Sequence, residues 1–166
     1  MKDSEGFVML KINIQGHAEC TVNDRNTAAS VGSGDLHVFS TPYMIALMEE
    51  AAQSSVAPEL EEGQSTVGTG LSVSHEAATP VGMKVWAESR LTAIDGRKLT
   101  FEVRAFDECG LIGQGTHERV IIKRQRFLEK TEAKKGCGAL RLRSAGKEGT
   151  RDARALPGNG FCGSLL

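Results

Sequence analysis

Thr41, Glu49 and His75 bring a hydroxyl, a carboxylate and an imidazole into one short stretch of chain. These are the minimum set for acyl transfer or hydrolysis: a group to supply or position a nucleophile, a base, and a ring that can move a proton. Thr41 and Glu49 both lie in the segment from Ser40 to Ala52, and His75 closes the run from Val67 to His75.

The elements that must hold these groups can be read locally. Thr41 before Pro42 predicts an N-cap with proline at the first helical position, where its missing N–H costs nothing and its φ is already helical. A helix is expected over about residues 42–57, because Met, Leu, Ala and Glu are good helix formers and no Gly or Pro interrupts them before Pro58. At about 100° per residue, Met44, Ile45, Met48, Ala52, Ser55 and Val56 form one arc with Glu49 on its margin. Glu50, Gln53 and Ser54 fall on the opposite side. A carboxylate withdrawn from water is costly unless paired. Glu49 therefore either pairs with an arginine or caps a backbone group, or it works as an acid or base.

Around this helix the chain alternates as strands do. His17–Val22 is an expected strand, followed by a turn at residues 23–26 and a glycine-containing loop at 31–35. Val67–His75 is a second strand. From Met83 to Ala93 the residues Met83, Val85, Ala87, Ser89, Leu91 and Ala93 share one face. Asp95-Gly96 signals a hairpin. Leu99, Phe101, Val103 and Ala105 share one face of the next strand, with Thr100, Glu102, Arg104 and Phe106 on the other, and Ile112–Arg124 forms the last. Long antiparallel strands around one helix make an α+β architecture with a curved sheet. Residues 1–130 read as one domain. Residues 131–166, rich in glycine and basic side chains and without strand alternation, read as a flexible tail.

Composition excludes several function classes. The 166 residues are 40% hydrophobic and 25% charged, with a net charge of −1, which offers no electrostatic case for nucleic acid or membrane binding. No apolar run approaches the roughly 20 residues needed to span a bilayer. The N-terminus has no signal-like apolar stretch, so a cytoplasmic location is expected. Cys20, Cys109, Cys137 and Cys162 lack metal-site or disulfide spacing. No Gly-Lys-Ser or Gly-Lys-Thr follows the isolated glycines, which rules out a phosphate loop. No metal or prosthetic group is expected.

Four segments carry a more specific signal: Phe39-Ser40-Thr41 through Leu47-Met48-Glu49; Gly68-Thr69; Val73-Ser74-His75-Glu76-Ala77-Ala78-Thr79-Pro80; and Gly113-Gln114-Gly115-Thr116-His117-Glu118-Arg119. Over roughly residues 17 to 130 the chain resembles the fluoroacetyl-CoA thioesterase-like family of hotdog-fold enzymes. The resemblance implies hydrolysis of an acyl-CoA thioester by a homodimer, or a tetramer, with each site at a subunit interface. Coenzyme A enters only as part of the substrate. By the same resemblance Thr41, Glu49 and His75 are catalytic, Gly68 lies near the thioester carbonyl, and Arg119 is the arginine of the last strand motif. Backbone N–H groups at Gly68 or at the helix start could receive the oxyanion. The family's fluoroacetate-specific member uses phenylalanines before the helix as a lid. In Gly34-Asp35-Leu36-His37-Val38-Phe39 only Phe39 retains an aromatic, which points to a different short acyl group.

Other readings stand beside this one. A hotdog hydratase would carry an aspartate and a histidine five residues apart, and Asp35 and His37 are too close. A non-catalytic acyl-CoA-binding module is the remaining alternative. Arg119 pairs with Glu49 or Glu118, or contacts the substrate. His117, on the same strand face as Arg119, is near the site by the motif and a packing or ion-pair residue by its strand position. His17 and His37 are expected at the surface. Tyr43, Met44, Met48 and Trp86 are expected in the core or at a dimer interface.

Overall fold

A computed structural model describes residues 10–136. The strand alternation and the helix appear where the residue pattern puts them. The order is β1 (Gln15–Thr21), a short helix α1 (Ala28–Val31), the long helix α2 (Thr41–Val56), a 3-10 turn (Ala57–Glu59), β2 (Gln64–His75), β3 (Lys84–Asp95), β4 (Lys98–Asp107), β5 (Gly110–Lys123) and helix α3 (Arg124–Ala133). The five strands form one antiparallel sheet in the order β1-β3-β4-β5-β2. β3, β4 and β5 are successive hairpin neighbours, while β1 and β2 occupy the two edges.

Helix α2 packs on one face of this sheet. Met44, Leu47, Met48, Ala51, Ala52 and Val56 bury against Val85, Ala87, Leu91, Leu99, Phe101, Val103 and Ala105. Met44 and Met48 thus belong to the core, whereas Tyr43 is exposed and Trp86 stacks on Phe106 with ring centroids 5.7 Å apart. Close approach of helix to sheet depends on Gly16, since a Cβ there would overlap the carbonyl oxygen of Ala51.

Three local expectations are corrected. Ser40, not Thr41, is the N-cap of α2: its backbone is extended and its hydroxyl accepts from Tyr43 N at 3.3 Å. Thr41 is the first helical residue, so its hydroxyl is free of capping duty. Second, Ala93 leaves the inner face of β3. A bulge at Thr92 breaks the period of two, exposing Ala93 and turning Ile94 toward the core. Third, β5 ends at Lys123, one residue short of the expected strand end, and Arg124–Ala133 form a helix that the residue pattern did not signal. That stretch holds good helix formers with no Gly or Pro, and no buried residue, so it lacks the apolar stripe by which a helix is usually recognised. Most of the expected tail, residues 137–166, lies outside the described residues, as do residues 1–9. Among the described residues no helix is long and apolar enough to cross a membrane.

Candidate active site

The first half of the site is a hydrogen bond between Thr41 Oγ1 and His75 Nδ1, 2.8 Å long. It joins the first turn of α2 to the end of β2. The loop after His75 is held from both sides. Glu76 N and Ala77 N both donate to Ile112 O, at 2.7 and 3.3 Å. Thr79 is fully buried, donates to Asp107 Oδ2 at 2.8 Å, and accepts from Phe39 N at 2.8 Å. Ser40 N donates to Asn26 O. These bonds clamp the start of α2 against the strand that carries His75. Burial pushes the His75 pKa below its ordinary value, opposed by a backbone hydrogen bond at Ala77, so the ring is neutral at pH 7.

The second half surrounds Glu49. Its Oε1 lies 3.8 Å from Arg119 Nη1 and 3.6 Å from His117 Nε2, while the side chain stays 43% exposed. Arg119 is buried and anchored: Nε donates to Thr66 Oγ1 at 2.8 Å and Nη2 to Thr66 O at 3.0 Å. The carboxylate occupies the space left by Gly68, whose missing Cβ would sit 2.5 Å from Oε1. Arg119 therefore pairs with Glu49. Glu118 pairs with Lys98 instead, at 2.8 Å.

The two halves are separated. Thr41 and Glu49 lie eight residues apart on α2, which at 1.5 Å per residue is about 12 Å along the axis. Phe39, expected beside the acyl group, is 1% exposed, and its ring belongs to the core. Residues 34–37 of the lid-like segment are all exposed, as is His17. The helix start has few donors to offer an oxyanion. Pro42 has no N–H, Tyr43 N is engaged by Ser40 Oγ, and Met44 N by Ser40 O. Residues 22–125 match the model of the family described as fluoroacetyl-CoA-specific thioesterase.

The chain belongs to this family. It is a hotdog-fold thioester hydrolase. A fluoroacetyl-CoA thioesterase from Streptantibioticus cattleyicolor is 42% identical over 101 residues, 61% of this chain and 73% of the relative. A solved point mutant of the fluoroacetyl-CoA-specific thioesterase, in complex with fluoroacetate and CoA, superposes with a TM-score of 0.67 at 33% identity, covering 71% of this chain and 99% of its own. A thioesterase superfamily member from Thermus thermophilus gives a TM-score of 0.73 at 27% identity, covering 80% of this chain and 98% of its own.

His117 was legible in the sequence as a motif residue near the site that shares a strand face with Arg119, with a packing or ion-pair role equally open. Its near-complete burial and its place between Glu49, Arg119 and β2 emerge from the fold. Thr79 carried no chemical signal in the sequence beyond its membership of the His-x-Ala-Ala-Thr-Pro run. Among the described residues no group of three or more His, Cys, Asp or Glu is arranged to hold a metal.

Proposed function

We propose that this protein is a homodimeric thioesterase that hydrolyses a short acyl-CoA to the free acid and coenzyme A. In each site Thr41 and His75 come from one copy and Glu49 from the other. The separation of about 12 Å between Thr41 and Glu49 carries this reading, since one copy alone cannot present all three groups to one carbonyl. The edge strand β2 supports it. Its 12 residues contain no Lys, Arg, Asp, Glu or Pro, the usual devices that keep a sheet edge unpaired. Antiparallel pairing of β2 with a second β2, about a dyad between Leu71 and Ser72, puts His75 of one copy opposite Gly68 of the other. Gly68 is the residue under which Glu49 lies.

At such a site the thioester carbonyl sits beside Gly68, whose backbone is exposed and has no side chain to fend off the substrate. The Glu49 carboxylate takes a proton from water as the oxygen attacks the carbonyl carbon, or attacks that carbon itself to give an anhydride that water then opens. Either route needs the same carboxylate. Thr41 positions the attacking group through its bond to His75. The C–S bond breaks, and the thiolate leaves with a proton relayed by the imidazole. The reaction consumes one water and needs no cofactor. The exposed Asp35 and Leu36, in place of a lid aromatic, favour a short acyl group other than fluoroacetyl. A cytoplasmic location suits a substrate made and used inside the cell.

Thiol release from acetyl-, fluoroacetyl-, propionyl-, butyryl- and phenylacetyl-CoA tests the reading, with Glu49→Gln alongside. Turnover of at least one ester that collapses in a folded Glu49→Gln variant is expected. Mixing Thr41→Val with Glu49→Gln chains tests the shared site: heterodimers regain one intact site, so activity should return to about a quarter of wild type. A mixture as inactive as its components would place all three groups within one copy. Binding of CoA esters by calorimetry without any turnover would favour an acyl-CoA-binding module.

A further inference from the structure

We propose that His117 is a positioning residue of this site, held as the neutral Nδ1–H tautomer by the Gly70 carbonyl so that its Nε2 lone pair fixes Arg119 against Glu49. The inference rests on the thioesterase reading and adds a residue to it. His117 Nδ1 lies 3.0 Å from Gly70 O, and a carbonyl oxygen only accepts, so the ring proton is on Nδ1. Arg119 Nη1 lies 3.0 Å from Nε2, and a guanidinium only donates, so Nε2 carries the lone pair. The two partners together leave one tautomer.

The surroundings agree with a neutral ring. Glu49 faces it from α2, the Gly70 carbonyl from β2, the Phe101 ring from β4 at 6.4 Å between centroids, and Arg119 and Glu118 lie on its own strand. Burial disfavours the imidazolium most. The Gly70 bond opposes this, Arg119 adds to it, and Glu49 and Glu118 oppose it, with a net lowering of the pKa. The 3.6 Å approach of Nε2 to Glu49 is therefore not an ion pair; the cation that Glu49 meets is Arg119. With Thr66 holding Nε and Nη2 and His117 holding Nη1, the guanidinium has one orientation. The β2 bulge completes the device. Pairing with β5 steps from Gly68–Arg119 to Gly70–Glu118, leaving Thr69 unpaired, and the Gly70 carbonyl comes within reach of the ring.

Two substitutions separate the two ring nitrogens. In His117→Gln the longer side chain brings its amide oxygen near the place of Nε2 and can still accept from Arg119. In His117→Asn the amide nitrogen replaces Nδ1, satisfies Gly70 O and leaves Arg119 Nη1 without that partner. On the best ester, kcat of the Gln variant should stay within about threefold of wild type. That of the Asn variant should fall about 100-fold with KM within about twofold, the cost of a misplaced group rather than of lost binding. An Asn variant that turns over like wild type, or two variants that lose activity only in step with folded fraction, overturns the proposal. Ring nitrogen NMR gives a second readout: a neutral Nδ1–H imidazole at pH 7 supports it, and an Nε2–H tautomer or an imidazolium overturns it whatever the activity. A folded wild type that releases thiol from no ester removes the reaction itself and sinks both readings, whereas an active wild type matched by the Asn variant sinks only this one.

Discussion

A methyl group on Gly68 would lie 2.5 Å from Glu49 Oε1 and 3.1 Å from His117 Cε1. The carboxylate thus rests in a space that exists because residue 68 has no side chain. Gly68→Ala should keep the fold, since the displaced atom is the end of a half-exposed side chain and alanine suits a strand interior better than glycine. It should lower kcat about 100-fold by moving Glu49 off line. Thermal melting and steady-state kinetics on the same sample check this. A variant with native kcat would show that Glu49 does not work from the position it holds here.

Thr41 and Ser40 are adjacent hydroxyls with different duties. Ser40 is fully buried and caps α2, so Ser40→Ala should cost about 1 kcal/mol of stability while sparing kcat in the folded fraction. Thr41 is exposed and bonds His75, so Thr41→Val should leave the melting temperature nearly unchanged and lower kcat about 10-fold or more. The reverse pattern, with loss of stability at Thr41 and of turnover at Ser40, would overturn the assignment.

Stability should fall as pH drops below about 6.5. The folded pKa values of His75 and His117 lie below the ordinary value of 6.5, chiefly through burial. As pH falls, the unfolded chain therefore takes up these protons first. The two residues cost nothing well above 6.5, weaken the fold as pH passes down through it, and stop doing so only below their folded values. Glu19, Glu76 and Glu102 are held below 4.5 by hydrogen bonds and act in a lower window. Urea midpoints at pH 8, 6.5 and 5.5 should decline, and decline less in His117→Gln. A midpoint that is level or rises toward pH 5.5 would contradict the neutral assignment of both rings.

Much of the architecture was legible because it rests on local rules. The Thr-Pro start and the unbroken helix formers define α2, and the period of two in residues 98–107 defines β4 and its inner face. The run from His75 to Pro80 and the run from Gly113 to Arg119 were enough to suggest the family. Where a second contact had to intervene, local rules failed. Either hydroxyl at 40 or 41 could cap the helix. The choice follows from Asn26 and Phe39–Thr79 contacts that bury Ser40 and leave Thr41 facing His75. The bulges at Thr92 and Thr69 carry no residue signature, because each is set by its partner strand.

What the sequence determined alone is the inventory: a helix with a hydroxyl at its start and a carboxylate on its margin, strands with one apolar face, and a histidine after an uncharged strand. The tertiary structure decided the pairing. Thr41 meets His75 across 34 residues, and Arg119 meets Glu49 rather than Glu118. The physical reason is that a helix separates residues eight apart by about 12 Å, while a sheet brings Thr66, His117 and Arg119 within hydrogen-bonding distance of one another. Propensity and period act along the chain, and these bonds act across it.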